Sequence, residues 1–256
     1  VNTQAKNVII FDNKIAKKKY DFFTFNNIRG RSGRMFKHFI GNVYVFHEPP
    51  QEELPLVEVP VYSQDEGTTS ESLLIQLDEY DLQRKSRERL EPYYRQHILS
   101  IDVIRQNTGI EPRDQIALAH YLAEKPLKIQ KLAWSGYPDW SQLRALCDTI
   151  WHFFIHEPGR VGGVSSGIHL AYKIKQMRGT PFRSMIELEI KKGGDPDEIV
   201  ETALEFIRQW PQYRFPRLAM GVCRIQNAIA NKMNMPNLVA EYSFFCGKVE
   251  NLFSDA

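Results

Sequence analysis

The pattern of apolar and polar positions changes character once along this chain. Residues 7–11 (NVIIF) and 42–46 (NVYVF) are short apolar runs rich in β-branched and aromatic residues. Runs of that length without polar alternation predict strands covered on both faces. Between them Thr24 can cap a helix that continues to about His38, with Gly41 beyond its end. Strand, helix and strand in so short a span predict a βαβ unit with its two strands parallel. No later segment offers further strands of this kind. The expectation is therefore a truncated parallel sheet whose other strands precede Val1, in a chain that begins inside a domain.

The remaining pattern is helical. Residues 48–69 carry Pro49, Pro50, Pro55 and Pro60 and read as an extended linker. From Ser70 onward Leu73, Leu77 and Tyr80 share one helical face. Ser100 caps a short helix that stops at Gly109, and Pro112 opens the next, with Ile116, Ala119, His120 and Leu122. Asp139 caps a longer helix from Trp140 to about Ile155 that buries Leu143, Leu146, Ile150 and Phe154. GRVGGVSSG at 159–167 reads as a hinge ending in a Ser cap, and DPDE at 195–198 supplies an Asp cap, a first-turn Pro and an acid. Residues 218–233 and 238–252 predict two more helices of a bundle. The expected organisation is a partial α/β layer over 1–50, a linker over 51–69, a winged-helix-like or small helical domain over 70–158, and a helical bundle over 159–256.

Charge refines this picture more than bulk composition does. The 256 residues are 43% hydrophobic and 25% charged, ordinary values for a globular protein. The formal net charge of +2 hides an uneven distribution. Residues 1–50 hold nine Lys and Arg against three acids, whereas 65–81 hold six acids and no base. A basic opening of this kind attracts phosphate, of a nucleotide or of a nucleic acid. Cys147, Cys223 and Cys246 are widely separated and odd in number, which suits reduced thiols in a cytoplasmic setting and not a disulfide scaffold or zinc ribbon. No apolar run is long enough to predict a membrane span, and no signal-peptide pattern opens the chain.

The candidate chemistry lies in residues 26–35, NNIRGRSGRM. Glycine costs a helix about 1 kcal/mol relative to alanine, yet Gly30 and Gly33 stand here beside permanent cations. In the helix expected above, Arg31 and Arg34 would be neighbours at i and i+3. The bordering glycines would let another surface approach closely. Paired guanidinium forks match phosphate oxygens and stay charged at any working pH.

These residues resemble the sixth conserved motif of superfamily 2 helicases, Q-x-x-G-R-x-G-R. VNTQAKNVIIF at 1–11 is similar to the end of their fifth motif, G-V-N-x-P-A, followed by a strand. The spacing of the two, and the strand after the second, match the DExH branch. That branch commonly follows its second RecA-like lobe with winged-helix and helical-bundle domains. The resemblance implies that Arg31 and Arg34 reach across the lobe interface to the γ-phosphate of ATP as catalytic residues. Asn27, where Gln is usual, together with Gly30 and Gly33 would belong to the ATP site. Asn2 and Thr3 would lie near the nucleic-acid backbone, and Gln4 stands where the family has Pro. Implied partners are single-stranded DNA or RNA, with DNA favoured by the repair-helicase layout, and an upstream lobe of the same parent chain. ATP and Mg2+ would be held mainly by that lobe, because this sequence has no G-x-x-x-x-G-K-[ST] and no D-E-x-H box. Its DEYD at 78–81 falls after the sixth motif, in the wrong order. Alone, the chain is expected to supply half of an ATPase site and to be inactive.

Other readings compete. The GRSGR run alone also suits a basic loop of a non-catalytic nucleic-acid-binding or regulatory module, and Lys17, Lys18 and Lys19 suit a solvated loop. Glu187, Glu189 and Lys191 resemble the E-x-K of metal-dependent nucleases, but no partner Asp on a paired strand is evident, and a charged amphipathic face explains them. His152 and His156 stand at i and i+4 with only Glu157 nearby, which favours packing over a metal site. GRVGGVSSG lacks the Lys of a phosphate cradle. Trp134, Tyr137 and Trp140 could stack on bases, though an aromatic-packed turn explains them as well.

Overall fold

The computed structural model describes residues 6–15, 18–32, 41–51, 60–180, 182–191 and 193–253. It divides into two compact units, 1–59 and 60–256.

In the first unit β1 (Asn7–Ile10) pairs in parallel with β4 (Asn42–Val45), Asn7 opposite Asn42 and Ile10 opposite Val45. The helix between them, α1 (Phe22–Arg29), completes the expected crossover. Side chains alternate across a strand, so Val8, Ile10, Val43 and Val45 turn to one face and pack with Phe25, Phe22, Ile28 and Tyr20. Tyr20 stacks on Phe25 at 6.3 Å between ring centroids. The other face carries Ile9 (66% exposed), Phe11 (80%), Tyr44 (52%) and Phe46 (69%). The apolar run that predicted two covered faces is thus matched by cover on one.

Two local expectations change. The basic stretch before α1 forms a short antiparallel hairpin, β2 (Lys14–Ile15) with β3 (Lys18–Lys19). The helix cap is Asp21, not Thr24: the Asp21 carboxylate accepts the Thr24 N–H at 2.8 Å. Those bonds to Thr24 hold Asp21 below the usual carboxylate range.

The second unit is helical, and its described residues contain no β-strand. Its helices are α2 (Pro60–Ser63), α3 (Glu71–Leu74), α4 (Arg84–Arg95), α5 (Ile101–Gln106), α6 (Pro112–Glu124), α7 (Pro126–Leu132), α8 (Trp140–Phe154), α9 (Gly167–Gly179), α10 (Phe182–Lys191), α11 (Pro196–Gln209), α12 (Phe215–Lys232) and α13 (Ser243–Glu250). The cap readings hold at Ser100, Asp139, Ser166 and Asp195, each of whose side chains accepts a first-turn N–H. Asp139 forms a full capping box with Gln142. The Leu73–Leu77–Tyr80 face is not the buried one. Leu74 and Ile75 are buried while Leu73 and Tyr80 are exposed. A one-turn α3 followed by a separate turn at Glu79–Asp81 breaks the periodicity on which that reading depended.

A single core runs from Leu74 to Val249 and includes Val161 and Val164 of the GRVGGVSSG segment. The residues on both sides of position 159 therefore pack together. At its centre lies α12, which buries Phe215, Leu218, Val222, Ile225 and Ile229 among others. A helix apolar on most of its circumference is expected to be enclosed, and α6, α7, α8 and α13 pack on it. One buried polar network is satisfied within this core. Asn107 Nδ2 donates to Gln115 Oε1 at 2.8 Å, Gln115 Nε2 donates to the Ile110 carbonyl at 2.9 Å, and Arg224 donates to Asn107 Oδ1 at 3.0 Å.

The α8–α9 crossing depends on a missing side chain. A Cβ at Gly167 would come within 2.6 Å of Asp148 Cα and 2.7 Å of the Cys147 carbonyl, both backbone atoms that cannot swing aside. Gly167→Ala is expected to destabilise the helical unit by about 1–3 kcal/mol, the usual cost of overpacking. Urea unfolding followed by far-UV circular dichroism measures it; a midpoint equal to that of the parent would show that the two helices separate without penalty.

Candidate functional site

The arginine segment begins where α1 ends. Helix α1 stops at Arg29, and the Gly30 N–H still bonds the Asn26 carbonyl at 2.8 Å. The next two amides turn to nearer carbonyls: Arg31 N–H to Ile28 at 3.1 Å and Ser32 N–H to Arg29 at 3.1 Å. Ser32 Oγ also donates to the Arg29 carbonyl at 2.8 Å. A side chain that competes for a helical carbonyl in this way favours termination. The expected continuous helix to about His38 is interrupted: α1 ends at Arg29 and Arg31 stands in the turn beyond it, while residues 33–38 of that expectation lie outside the described residues.

Arg31 is exposed, past the negative end of the α1 dipole, where a cation is favoured. Arg29 lies in the last helical turn, its guanidinium carbon 5.9 Å from the Phe25 ring centroid. Asn27 is exposed on α1, and Gly30 caps its C-terminus. Asn2, Thr3, Gly33 and Arg34 lie outside the described residues, so the i, i+3 pairing of Arg31 with Arg34 on one helix has no described geometry.

A second basic feature accompanies the turn. In the β2–β3 hairpin Lys14 sits directly across from Lys19. Like charges opposite one another destabilise a strand pair, so the hairpin does not gain its stability from this spelling. An external anion would relieve it.

The other sequence candidates resolve into structural roles. His156 Nε2 lies 2.8 Å from Asp114, and His152 meets the Phe153 ring edge-on at 4.7 Å between ring centroids. Among the described residues no group of three or more His, Cys, Asp or Glu side chains is placed to hold a metal ion. Glu157 forms a bidentate pair with Arg214, both contacts at 2.9 Å, and that bonding holds its carboxyl below the usual range. Glu187, Glu189 and Lys191 lie along helix α10 and are exposed, not on the paired strands an E-x-K nuclease uses. Val161 and Val164 close a small bridge within GRVGGVSSG, and the Val161 carbonyl accepts from the Trp210 indole at 2.8 Å. Burial raises all three thiols, which are free: Cys147 well above its ordinary value, Cys223 to about 11 and Cys246 to about 12. Thiols so placed are poor nucleophiles at neutral pH.

The aromatic trio separates. Trp134 is buried and stacked on Tyr242 at 4.0 Å, whereas Tyr137 and Trp140 border the surface. Sequence reading missed their partners on α9, Tyr172, Lys175 and Arg178. The signal was available: an aromatic and two cations spaced three apart on a helix whose buried residues fall at other positions. Among the described residues no helix is long and apolar enough to cross a membrane.

Against known proteins, no family model matches the chain, and no solved structure matches it. Among curated proteins it is similar to Anti-bacteriophage protein B of Escherichia coli strain K12, with 35% identity over 109 residues. The matched segment is 42% of this chain but 15% of that relative, so the chain spans a small part of a far longer protein to which it is similar.

Proposed function

We propose that this chain is the C-terminal portion of a superfamily 2, DExH-type ATP-dependent helicase or translocase that acts in defence against bacteriophage. The observation that carries the reading is the parallel β1–β4 pair with its α1 crossover, followed at once by Arg31. Parallel sheets occur with both faces covered, and the bare Ile9–Phe11–Tyr44–Phe46 face is what a fragment of a RecA-like lobe would present. The remaining strands, the phosphate-binding Lys and the Mg2+-binding acids would belong to upstream chain. The length of the anti-bacteriophage relative leaves ample room for such a lobe, and its name supplies the defence role.

In this reading ATP binds between two lobes, and Arg31 and Arg34 complete its γ-phosphate site from this side. Hydrolysis releases the closure, and the alternation moves single-stranded DNA or RNA past the helical unit. A winged-helix domain would need a β-wing, and no strand stands in the helical unit among its described residues. The helical layer takes that place. Lys14 and Lys19 provide a phosphate contact beside the motor.

The test compares ATP turnover by the 256-residue chain with turnover by its longer parent polypeptide, each with and without single-stranded nucleic acid. The parent is expected to hydrolyse ATP, faster with nucleic acid, and the chain alone to show none. A parent without ATP turnover leaves the non-catalytic nucleic-acid-binding module, a reading that the aromatic and cationic surface of the helical unit also favours.

A further inference from the structure

We propose that the surface formed by Tyr137, Trp140, Tyr172, Lys175, Arg178 and Phe244 is a binding site for single-stranded nucleic acid, which it holds by base stacking and phosphate contact. The inference rests on the helicase reading only for its biological setting. The surface itself is argued from its geometry.

Two aromatic–cation pairs meet there. Lys175 Nζ lies 5.0 Å from the Trp140 ring centroid, and the Arg178 guanidinium lies 4.0 Å from that of Tyr137. Each aromatic is extended by a second exposed ring. Tyr172, 57% exposed, lies 4.6 Å from Trp140, and Phe244, 49% exposed, meets Tyr137 at 5.3 Å. Between the pairs lies a cleft of about 220 Å3 lined by Trp140, Lys175 and Arg178 among others. The rings are held from below: Tyr137 also contacts buried Phe245, and Trp140 begins the capped helix α8.

Charge selects the occupant. Among the described residues neither Lys175 nor Arg178 forms an ion pair, although several other arginines of this unit do. Among the residues that line the cleft the one carboxylate is Asp139, which caps α8 by accepting from the Gln142 N–H at 2.8 Å. An exposed cation over an aromatic ring is worth about 0.5–1 kcal/mol, whereas stacking of a base on an aromatic side chain is worth about 1–3 kcal/mol. Bases can therefore add to or displace these pairs, and the released or shared cations then face phosphate. An apolar protein partner would leave both charges uncompensated. A duplex has its bases paired inside and cannot use the rings.

The experiment uses the 256-residue chain without nucleotide, and 20-mers of oligodeoxythymidine and oligouridine as probes, with a duplex of equal length. Fluorescence anisotropy is expected to show binding of at least one single strand in preference to the duplex, with a partial quench of tryptophan emission that Trp140→Phe removes. Tyr172→Ala and Arg178→Ala, both at exposed positions, should each weaken binding about tenfold, within the range of one lost stacking contact, with thermal unfolding unchanged. Lys125→Ala removes a comparable cation from the Tyr121 ring, part of a different cleft, and is expected to change affinity less than threefold. The proposal is overturned if the chain binds no oligonucleotide, if both patch variants bind as the parent does, or if Lys125→Ala loses as much as Arg178→Ala. Because ATP is absent, these outcomes stand apart from those for the motor. Patch binding can fail while the parent hydrolyses ATP, and the reverse.

Discussion

Arg31→Ala, introduced into the longer polypeptide that the proposed helicase reading requires, is expected to lower ATP turnover by about 10³- to 10⁵-fold, the range found for an arginine that stabilises a transferring phosphoryl group. The charge it would neutralise grows on the γ-phosphate oxygens in the transition state and is smaller in the bound substrate. Loss of the guanidinium should therefore act on the maximal rate and leave most nucleotide affinity in place. The position suits such a role. Arg31 is exposed and lies in the turn outside α1, so its removal takes away neither core packing nor a helical residue. Arg31→Lys keeps a charge but not the planar fork, and should restore only a small part of the rate. Steady-state turnover at saturating ATP, with nucleotide binding measured separately, distinguishes these effects. Turnover within threefold of the parent would remove Arg31 from the ATP site and leave it a helix-end cation. Oligonucleotide binding through the α8–α9 surface should survive the substitution in either case.

What could be read from the sequence, and what could not, follows from the range of each physical signal. Caps are local: Ser100, Asp139 and Asp195 announce helix starts with one side chain and the next turn, and the structure places helices there. The parallel pairing of β1 and β4 was readable because two apolar strands around a helix have few ways to pack. The end of α1 was not. A start cap and Gly41 bracket a helix to about His38, but the Ser32 hydroxyl and the turn amides of Arg31 and Ser32 capture the last carbonyls of α1 instead. The α8–α9 surface was half legible. Tyr137 and Trp140 stood out as aromatics near a cap, while their cationic partners lie one helix later and become neighbours only through the Gly167 crossing. The exposed face of the parallel pair was the least legible feature. Nothing in NVIIF or NVYVF distinguishes a strand covered on both faces from one covered on a single face.

The largest stability effect is expected at Trp210, the joint between α11 and α12. The ring is fully buried and lies 6.0 Å from Trp151 in a stacked arrangement, and its indole N–H donates to the Val161 carbonyl at 2.8 Å. The backbone around it is irregular. Trp210–Arg214 forms a π-helical turn that includes Pro211, and Pro216 follows in the first turn of α12. Two prolines withhold two amide donors there, so side-chain packing must fix the angle at which the chain enters its central helix. Trp210→Ala removes the largest fully buried side chain among the described residues, which costs about 3–5 kcal/mol. It also takes away one of two donors to the Val161 carbonyl, which keeps the Val164 N–H at 3.1 Å, a loss of about 0.5–1.5 kcal/mol for one hydrogen bond. Together these take much of the roughly 5–15 kcal/mol that holds a typical domain folded. Trp210→Phe separates the two terms, since it keeps most of the ring volume and loses the donor. Chemical unfolding of the 256-residue chain should rank the parent above Trp210→Phe, and Trp210→Phe above Trp210→Ala, with the second gap the wider because volume outweighs one hydrogen bond. An alanine variant as stable as the parent would mean that the joint is held by the π-turn backbone alone, and that the Val161 loop and α12 are independent of each other.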